Sequence, residues 1–273
     1  MTAFTVLGAS GYIGSRLVSC LRSQGHAVRA PARGETGVFG QPLGHVLYCV
    51  GLTADFRSRP FDTVEAHVGL LADVLARGQF DSLLYLSSTR VYMGAASTQE
   101  DAPLQVLPGD PSYLYNLSKL TGESLCHASE RAGVRVARLS NVVGPGMDAS
   151  SGNLVADLVH QARQGHVVLC SDPRSGKDYV HIADLLDWLP RIALAGAATV
   201  YNVASGVQTA HGQWLDWLRE RTGCTVAWPQ DAPLQQFPPI DARRLHAELA
   251  VRPRPVFADD LLIPNDLPGV TSP

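Results

Sequence analysis

Of the eight tyrosines in the sequence, Tyr115 alone has a lysine four residues later, in Tyr115-Asn116-Leu117-Ser118-Lys119. On a helix that spacing sets phenol and ammonium on one face. A phenol ordinarily ionises near pH ~10, too high for easy proton exchange at neutrality, and a neighbouring ammonium stabilises the phenolate. Tyr115 then serves as a general acid or base. The strand-like run Leu83-Leu84-Tyr85-Leu86-Ser87-Ser88 ends in hydroxyls, at the carboxyl edge where open α/β sheets bind ligands. From there Ser88 would hydrogen-bond a substrate oxygen while a hydride moves to or from its carbon. Taken singly, such a Tyr/Lys pair is most often a surface helix contact and such a serine a strand end. Their joint occurrence, in this order, points to chemistry.

Hydride chemistry needs a dinucleotide held beside them. Val6-Leu7-Gly8-Ala9-Ser10-Gly11-Tyr12-Ile13-Gly14 follows one strand and opens one helix. Gly8 and Gly11 permit a tight turn and close backbone approach to a pyrophosphate, and Gly14 lets the helix pack near the sheet. The helix start turns free N–H groups and a positive dipole end toward the phosphates. Three glycines near a turn are common, so their place after the first strand is what gives them weight. At the end of the second strand, where an NAD enzyme offers a carboxylate to the adenosine ribose, the chain reads Val28-Arg29-Ala30-Pro31-Ala32-Arg33. The guanidiniums of Arg29 and Arg33 suit a 2′-phosphate, so NADP(H) is favoured, with NAD(H) the alternative.

The elements that must position these groups alternate. Strands are expected at 4–7, 27–30, 46–50, 83–87, 134–139, 167–170 and 199–203, and helices at 13–23, 63–77, 113–131, 154–163, 183–194 and 212–221. That order predicts an α/β fold, a doubly wound parallel sheet with helices on both faces. Residues 1–140, completed by 178–204, would form the dinucleotide-binding part; 141–177 and 205–273, richer in Gly and Pro, would form a smaller C-terminal substrate lobe. Residues after Pro264 read as a frayed tail.

A formal charge of -3 without a dense Lys/Arg run argues against nucleic acid. Cys20, Cys49, Cys126, Cys170 and Cys224 show no CxxC pair and no metal-like spacing, and read as reduced thiols. No signal-peptide pattern and no membrane-length apolar run is visible, so a cytoplasmic location and no membrane partner are expected.

The chain resembles the extended short-chain dehydrogenases/reductases, specifically the NAD-dependent epimerase/dehydratase family acting on nucleotide sugars. Carrying the resemblance are the glycine turn, Ser87-Ser88-Thr89-Arg90-Val91-Tyr92, Tyr115 to Lys119, Arg138-Leu139-Ser140-Asn141-Val142-Val143-Gly144-Pro145-Gly146, Lys177-Asp178-Tyr179-Val180-His181-Ile182-Ala183-Asp184 and Tyr201-Asn202-Val203-Ala204-Ser205-Gly206. It implies a Rossmann-type fold, a homodimer, and a catalytic triad of Ser88, Tyr115 and Lys119, with Lys119 also bridging to the nicotinamide ribose. The cofactor set it implies is Gly8, Ser10, Gly11, Tyr12, Ile13, Gly14, Arg29, Arg33, Thr53, Ser87, Tyr115 and Lys119. Ser88, Thr89, Arg90, Asn141 and Lys177 would face the substrate. Asn141 matches a position that contacts the substrate pyrophosphate, and Lys177 one where many members carry an arginine. Asp178 and His181 would brace the fold.

Departures from the family pattern narrow the reaction. Dehydratases of this kind carry Asp-Glu where Thr89-Arg90 stands here; related decarboxylases have Glu at the Arg90 position and epimerase-reductases Cys. Without them, hydride transfer by Ser88 and Tyr115 remains: an NADP(H)-dependent ketoreductase of a nucleotide-linked sugar. The alternatives are an epimerase that retains NAD and a non-catalytic dinucleotide-binding protein. The stretch from Arg33 to His45 is too short for the usual helix and third strand, and His67 stands where the family commonly has Asn.

Overall fold

Apolar runs such as Phe4-Thr5-Val6-Leu7 and Leu83-Leu84-Tyr85-Leu86 become strands buried on both faces, as parallel sheets covered by helices require. The computed structural model describes residues 1–35, 39–52 and 55–263. Its strands are β1 (Ala3–Leu7), β2 (Ala27–Arg29), β3 (His45–Tyr48), β4 (Ser82–Ser88), β5 (Val134–Leu139), β6 (Asn141–Val143), β7 (His166–Val168), β8 (Gly176–His181), β9 (Val200–Val203), β10 (Gln208–Ala210) and β11 (Thr225–Ala227). Its α-helices are α1 (Tyr12–Ser23), α2 (Pro60–Val64), α3 (Leu70–Arg77), α4 (Leu114–Ala128), α5 (Leu154–Arg163), α6 (Ile182–Ala195), α7 (His211–Thr222) and α8 (Arg243–Leu249).

The main sheet has six parallel strands in the order β2-β1-β3-β4-β5-β9. Side chains alternate across it. Leu84 and Leu86 face a core with Leu17 and Leu21 of α1 and Leu185, Trp188 and Ile192 of α6, while Leu83 and Tyr85 face another with Leu71 and Val74 of α3. The doubly wound α/β architecture follows from that division.

Beyond it lie two small sheets, β10-β8-β6 and β11-β7, the latter under a separate core built from α5, α7, Trp214 and Phe257. The strand expected at 167–170 therefore leaves the main sheet, because its partner is β11. The expected helix at 63–77 is interrupted by one π-helical turn over Glu65–Gly69. The start of the 178–204 segment is strand β8 of a small sheet, and only α6 and β9 join the main one. Between β2 and β3 no strand forms among the described residues, which leaves β2 at the sheet edge. No helix among the described residues is long and apolar enough to cross a membrane. The tail read after Pro264 lies outside the described residues.

Candidate active site

The glycine turn is shaped by the atoms around it. Gly8 has φ +82°, and a Cβ there would lie 2.8 Å from the Cys49 carbonyl carbon and oxygen and the Val50 nitrogen; the backbone just past β3 runs too close for any side chain. A Cβ on Gly14 would run into the Gly8 carbonyl oxygen. Gly11 caps α1 in extended conformation and sends its N–H to Gly8 O at 3.1 Å. Ser10 and Gly11 are exposed at the mouth, and Ile13 packs against the core. Tyr12 reaches across to donate to Pro145 O at 3.2 Å, with the Arg16 guanidinium 3.9 Å from its ring centroid; Arg16 also donates to Pro145 O at 2.8 Å. This latch ties the start of α1 to the loop after β6. Burial pushes the Tyr12 phenol up to about 12, so it stays protonated.

Past the β2 end the arrangement is thinner. Arg29 is paired with Glu35 at 3.1 Å, and Glu35 also accepts from the Ala32 N–H. Arg33 is exposed. Thr53 lies outside the described residues.

Tyr115 and Lys119 occupy the buried face of α4, on one side as their spacing requires. Burial raises the phenol pKa; the Ser88 hydroxyl, hydrogen-bonded to it, and the Arg90 charge oppose that rise. Lys119 Nζ donates to Leu86 O of β4 at 2.8 Å, and burial lowers its pKa to about 7. The cation acting on the phenol is thus Arg90, which sequence reasoning had placed on the substrate side.

Beneath the pair sits His67, fully buried. Ser118 Oγ donates to Tyr115 O at 2.9 Å, so the 2.8 Å contact from His67 Nδ1 makes that nitrogen the donor to Ser118. His67 Nε2 then accepts from Leu52 N at 3.3 Å. These contacts assign a neutral imidazole of one tautomer, and burial together with Lys119 holds its pKa near about 3. The π turn supplies this placement: its widened backbone offers Ala66 O to the Tyr48 hydroxyl at 2.7 Å and His67 O to the Tyr85 hydroxyl at 3.2 Å. π-helical turns recur at functional sites.

Sequence reasoning missed a second layer under the site. Ser87 donates to Glu123, whose carboxylate holds Arg138 at 2.7 Å; Arg138 donates on to Tyr92 Oη at 2.7 Å and Glu100 O at 3.1 Å. Tyr92 Oη donates to Asn202 Oδ1 at 2.8 Å. The Ser87 hydroxyl is therefore engaged inside the fold. Glu123 stands one helical turn past Lys119, a spacing that could have drawn attention to it. Asp178, buried, accepts from Ser140 and from Ser205 N and Oγ, each of the latter at 3.0 Å. His181 caps α6 through Ala183 N at 3.2 Å. Both brace the crossing of β5, β8 and β9.

On the substrate side, Thr89 donates to Leu139 O at 3.3 Å and Arg90 N–H to Ser88 Oγ at 3.2 Å. Asn141 is exposed and donates to Asp178 O at 2.9 Å. Lys177 Nζ lies 4.8 Å from the Phe237 ring centroid, its pKa lowered by burial and by Arg90. No His/Cys/Asp/Glu cluster fit for a metal occurs among the described residues.

The family model of the "NAD dependent epimerase/dehydratase family" matches residues 38–204. UDP-glucuronic acid decarboxylase 1 of Xenopus tropicalis is 22% identical over 278 residues, covering 88% of this chain and 66% of its own length, just under two thirds. Among solved structures, the NAD-dependent NDP-hexosamine 5,6-dehydratase TunA of tunicamycin biosynthesis superposes with TM-score 0.78 at 22% identity over 96% of each chain. MoeE5 in complex with UDP-glucose and NAD gives 0.79 at 20%, over 95% of this chain and 97% of its own. RMD from Pseudomonas aeruginosa complexed with NADPH gives 0.77 at 23%, over 96% and 97%. At such identities the likeness is one of fold.

Proposed function

The chain belongs to the NAD dependent epimerase/dehydratase family, and we propose that it works there as a ketoreductase, moving a hydride between NADP(H) and a keto group of a nucleotide-linked sugar. Tyr115 gives or takes the proton on the sugar oxygen, Ser88 hydrogen-bonds that oxygen, and Lys119 would hold the nicotinamide ribose. The cofactor's pyrophosphate would rest on the turn of Gly8, Gly11 and Gly14, at the start of α1. The dinucleotide supplies the hydride acceptor or donor.

One observation carries the choice of a net redox reaction over epimerisation on a retained cofactor: β2, only three residues long, ends the sheet. A cofactor held by its pyrophosphate and nicotinamide ends, with a short edge strand beside its adenosine among the described residues, would leave after each turnover, as a reductase requires. Arg90 at the position of the decarboxylase and dehydratase carboxylate removes the second acid–base group those reactions use. NADP(H) is the cofactor preferred through Arg33 and Arg29, and the RMD fold relative carries NADPH.

The test is following reduced-cofactor absorbance with a 4-keto nucleotide sugar. Tyr115→Phe should lower turnover about 10²–10⁴-fold while cofactor affinity stays unchanged. Undiminished turnover, or NAD purified in stoichiometric, non-exchanging form, overturns the reading.

A further inference from the structure

Beside the hydroxyls of Ser88 and Tyr115 stand cations that, among the described residues, form no ion pair with a carboxylate. Arg90 donates from Nε to Asn116 Oδ1 at 3.2 Å and from Nη2 to Ser112 O at 3.5 Å. Both acceptors are neutral and stand at the start of α4, the positive end of its dipole. The Arg90 guanidinium carbon lies 5.5 Å from the Phe56 ring centroid and 5.9 Å from that of Tyr115. Arg57 lies 4.5 Å from the same Phe56 ring. Two guanidiniums thus share one aromatic ring at the mouth of the site, with Lys177 close enough to be acted on by Arg90.

Among the described residues no acid forms an ion pair with Arg57, Arg90 or Lys177. The acid that senses Arg57 is Asp110, fully exposed and bound to its own capping contact at Ser112 N. Burial and Arg57 together lower the Arg90 pKa, the direction expected when like charges crowd without a counter-charge. A ring face supplies no counter-charge, so a half-buried cation beside a second one is left in want of an anion.

We infer that the unit undergoing hydride transfer carries its own carboxylate, a uronic-acid-type sugar on the nucleotide, seated on Arg90 with Arg57 beside it. The inference rests on the hydride-transfer reading of Ser88 and Tyr115. The diphosphate is the other anion of such a substrate, but the position of Arg90 separates the two. Its backbone N–H is bound to Ser88 Oγ and its guanidinium lies against Tyr115, so its anion sits next to the reacting carbon. A pyranose ring lies between that carbon and the diphosphate. Lys177 on β8, beside Asn141 on the paired strand β6, remains for the phosphates.

Calorimetric titration of the full chain with UDP-glucuronic acid, UDP-glucose and UDP, and with their thymidine counterparts, tests it. The uronate should bind at least about tenfold tighter than the matching glucose, the scale of one charge-assisted contact. Arg90→Gln should abolish that margin, Arg57→Gln should shrink it and Arg90→Lys should keep part of it, with affinity for UDP or dTDP unchanged in all three. Thermal melts establish that each variant folds. No uronate margin with either nucleotide overturns the inference; so does an Arg90→Gln variant that loses the bare nucleotide as strongly as the uronate. Tyr115→Phe separates this claim from the one beneath it, since the margin should survive there although turnover does not.

Discussion

The α4 side of the site and the β2 edge hold opposite ends of the same proposed cofactor, and they are built to different standards. Under α4 the groups His67, Lys119 and Glu123 are buried and answered: Lys119 by Leu86 O, His67 by Ser118 and Leu52, Glu123 by Arg138 and Ser87. The β2 edge carries a three-residue strand and an Arg29–Glu35 pair at 3.1 Å with both side chains partly exposed. Rigidity is concentrated where atoms must be placed to a fraction of an ångström for proton and hydride movement. At the far end only affinity is at stake. A protein that releases its dinucleotide gains from that asymmetry.

If the α4 side is held by its buried network, breaking the network should cost most. Glu123→Gln leaves the Arg138 guanidinium, 6% exposed, without its counter-charge. We expect a loss of about 3–5 kcal/mol in chemical denaturation, while the double variant Glu123→Leu with Arg138→Met recovers most of it. A single variant within 1 kcal/mol of the parent would remove the contrast between the two regions.

The junction of the two regions is the glycine turn. Gly14→Ala puts a methyl group against the Gly8 carbonyl and 3.0 Å from Ala9 Cα, backbone that cannot step aside. The expected result is about 1–3 kcal/mol of destabilisation with cofactor binding lost; a variant that binds NADPH normally in fluorescence titration would show the turn to be unconnected with the dinucleotide.

Much of this division was legible in the sequence. The alternation of apolar runs and amphipathic stretches located the strands β1, β3, β4, β5 and β9, because burial on both faces demands unbroken hydrophobicity. The short spacing from Arg33 to His45 agrees with the lack of a strand there among the described residues. Strands β6, β8 and β10 were not legible: they form one small sheet of three- and six-residue strands and carry polar residues such as Lys177 and Asp178 that serve other contacts. The π turn left no trace either, since Glu65-Ala66-His67-Val68-Gly69 fits an α-helix equally well until Tyr48 and Tyr85 claim its carbonyls. Spacing found Tyr115 and Lys119, but their electrostatic company depends on which distant side chains fold against them. That company is Arg90 for the phenol and Glu123 and Cys49 for the amine.

The buried amine offers a pH-dependent way to sharpen the comparison. In the cofactor-free protein burial holds Lys119 down at about 7, against roughly 10.4 in an unfolded chain. Between those values the unfolded state binds a proton that the folded state does not, so stability rises with pH across this window. The gain is complete above the unfolded value and is lost as pH falls toward the folded one. Lys119→Met keeps the volume and removes the titration. Melting curves between about pH 7 and pH 9 should therefore be flatter for the variant, with a higher Tm at pH 7; an unchanged slope would mean that the amine is not desolvated.

The smallest effect is expected at the β2 edge. If the arginines there read a 2′-phosphate, Arg33→Ala should weaken NADPH by a few-fold, about 0.5–1 kcal/mol for an exposed charge contact, and leave NADH alone. Glu35 works in the opposite sense, because it holds Arg29 at 3.1 Å and competes with a phosphate for the same guanidinium. Glu35→Gln should then strengthen NADPH by a similar factor, and its effect should fade as salt rises above about 0.15 M. Equal responses of NADPH and NADH to both substitutions would mean that this edge does not discriminate between them. Cofactor choice would then have to be made by the residues around the glycine turn.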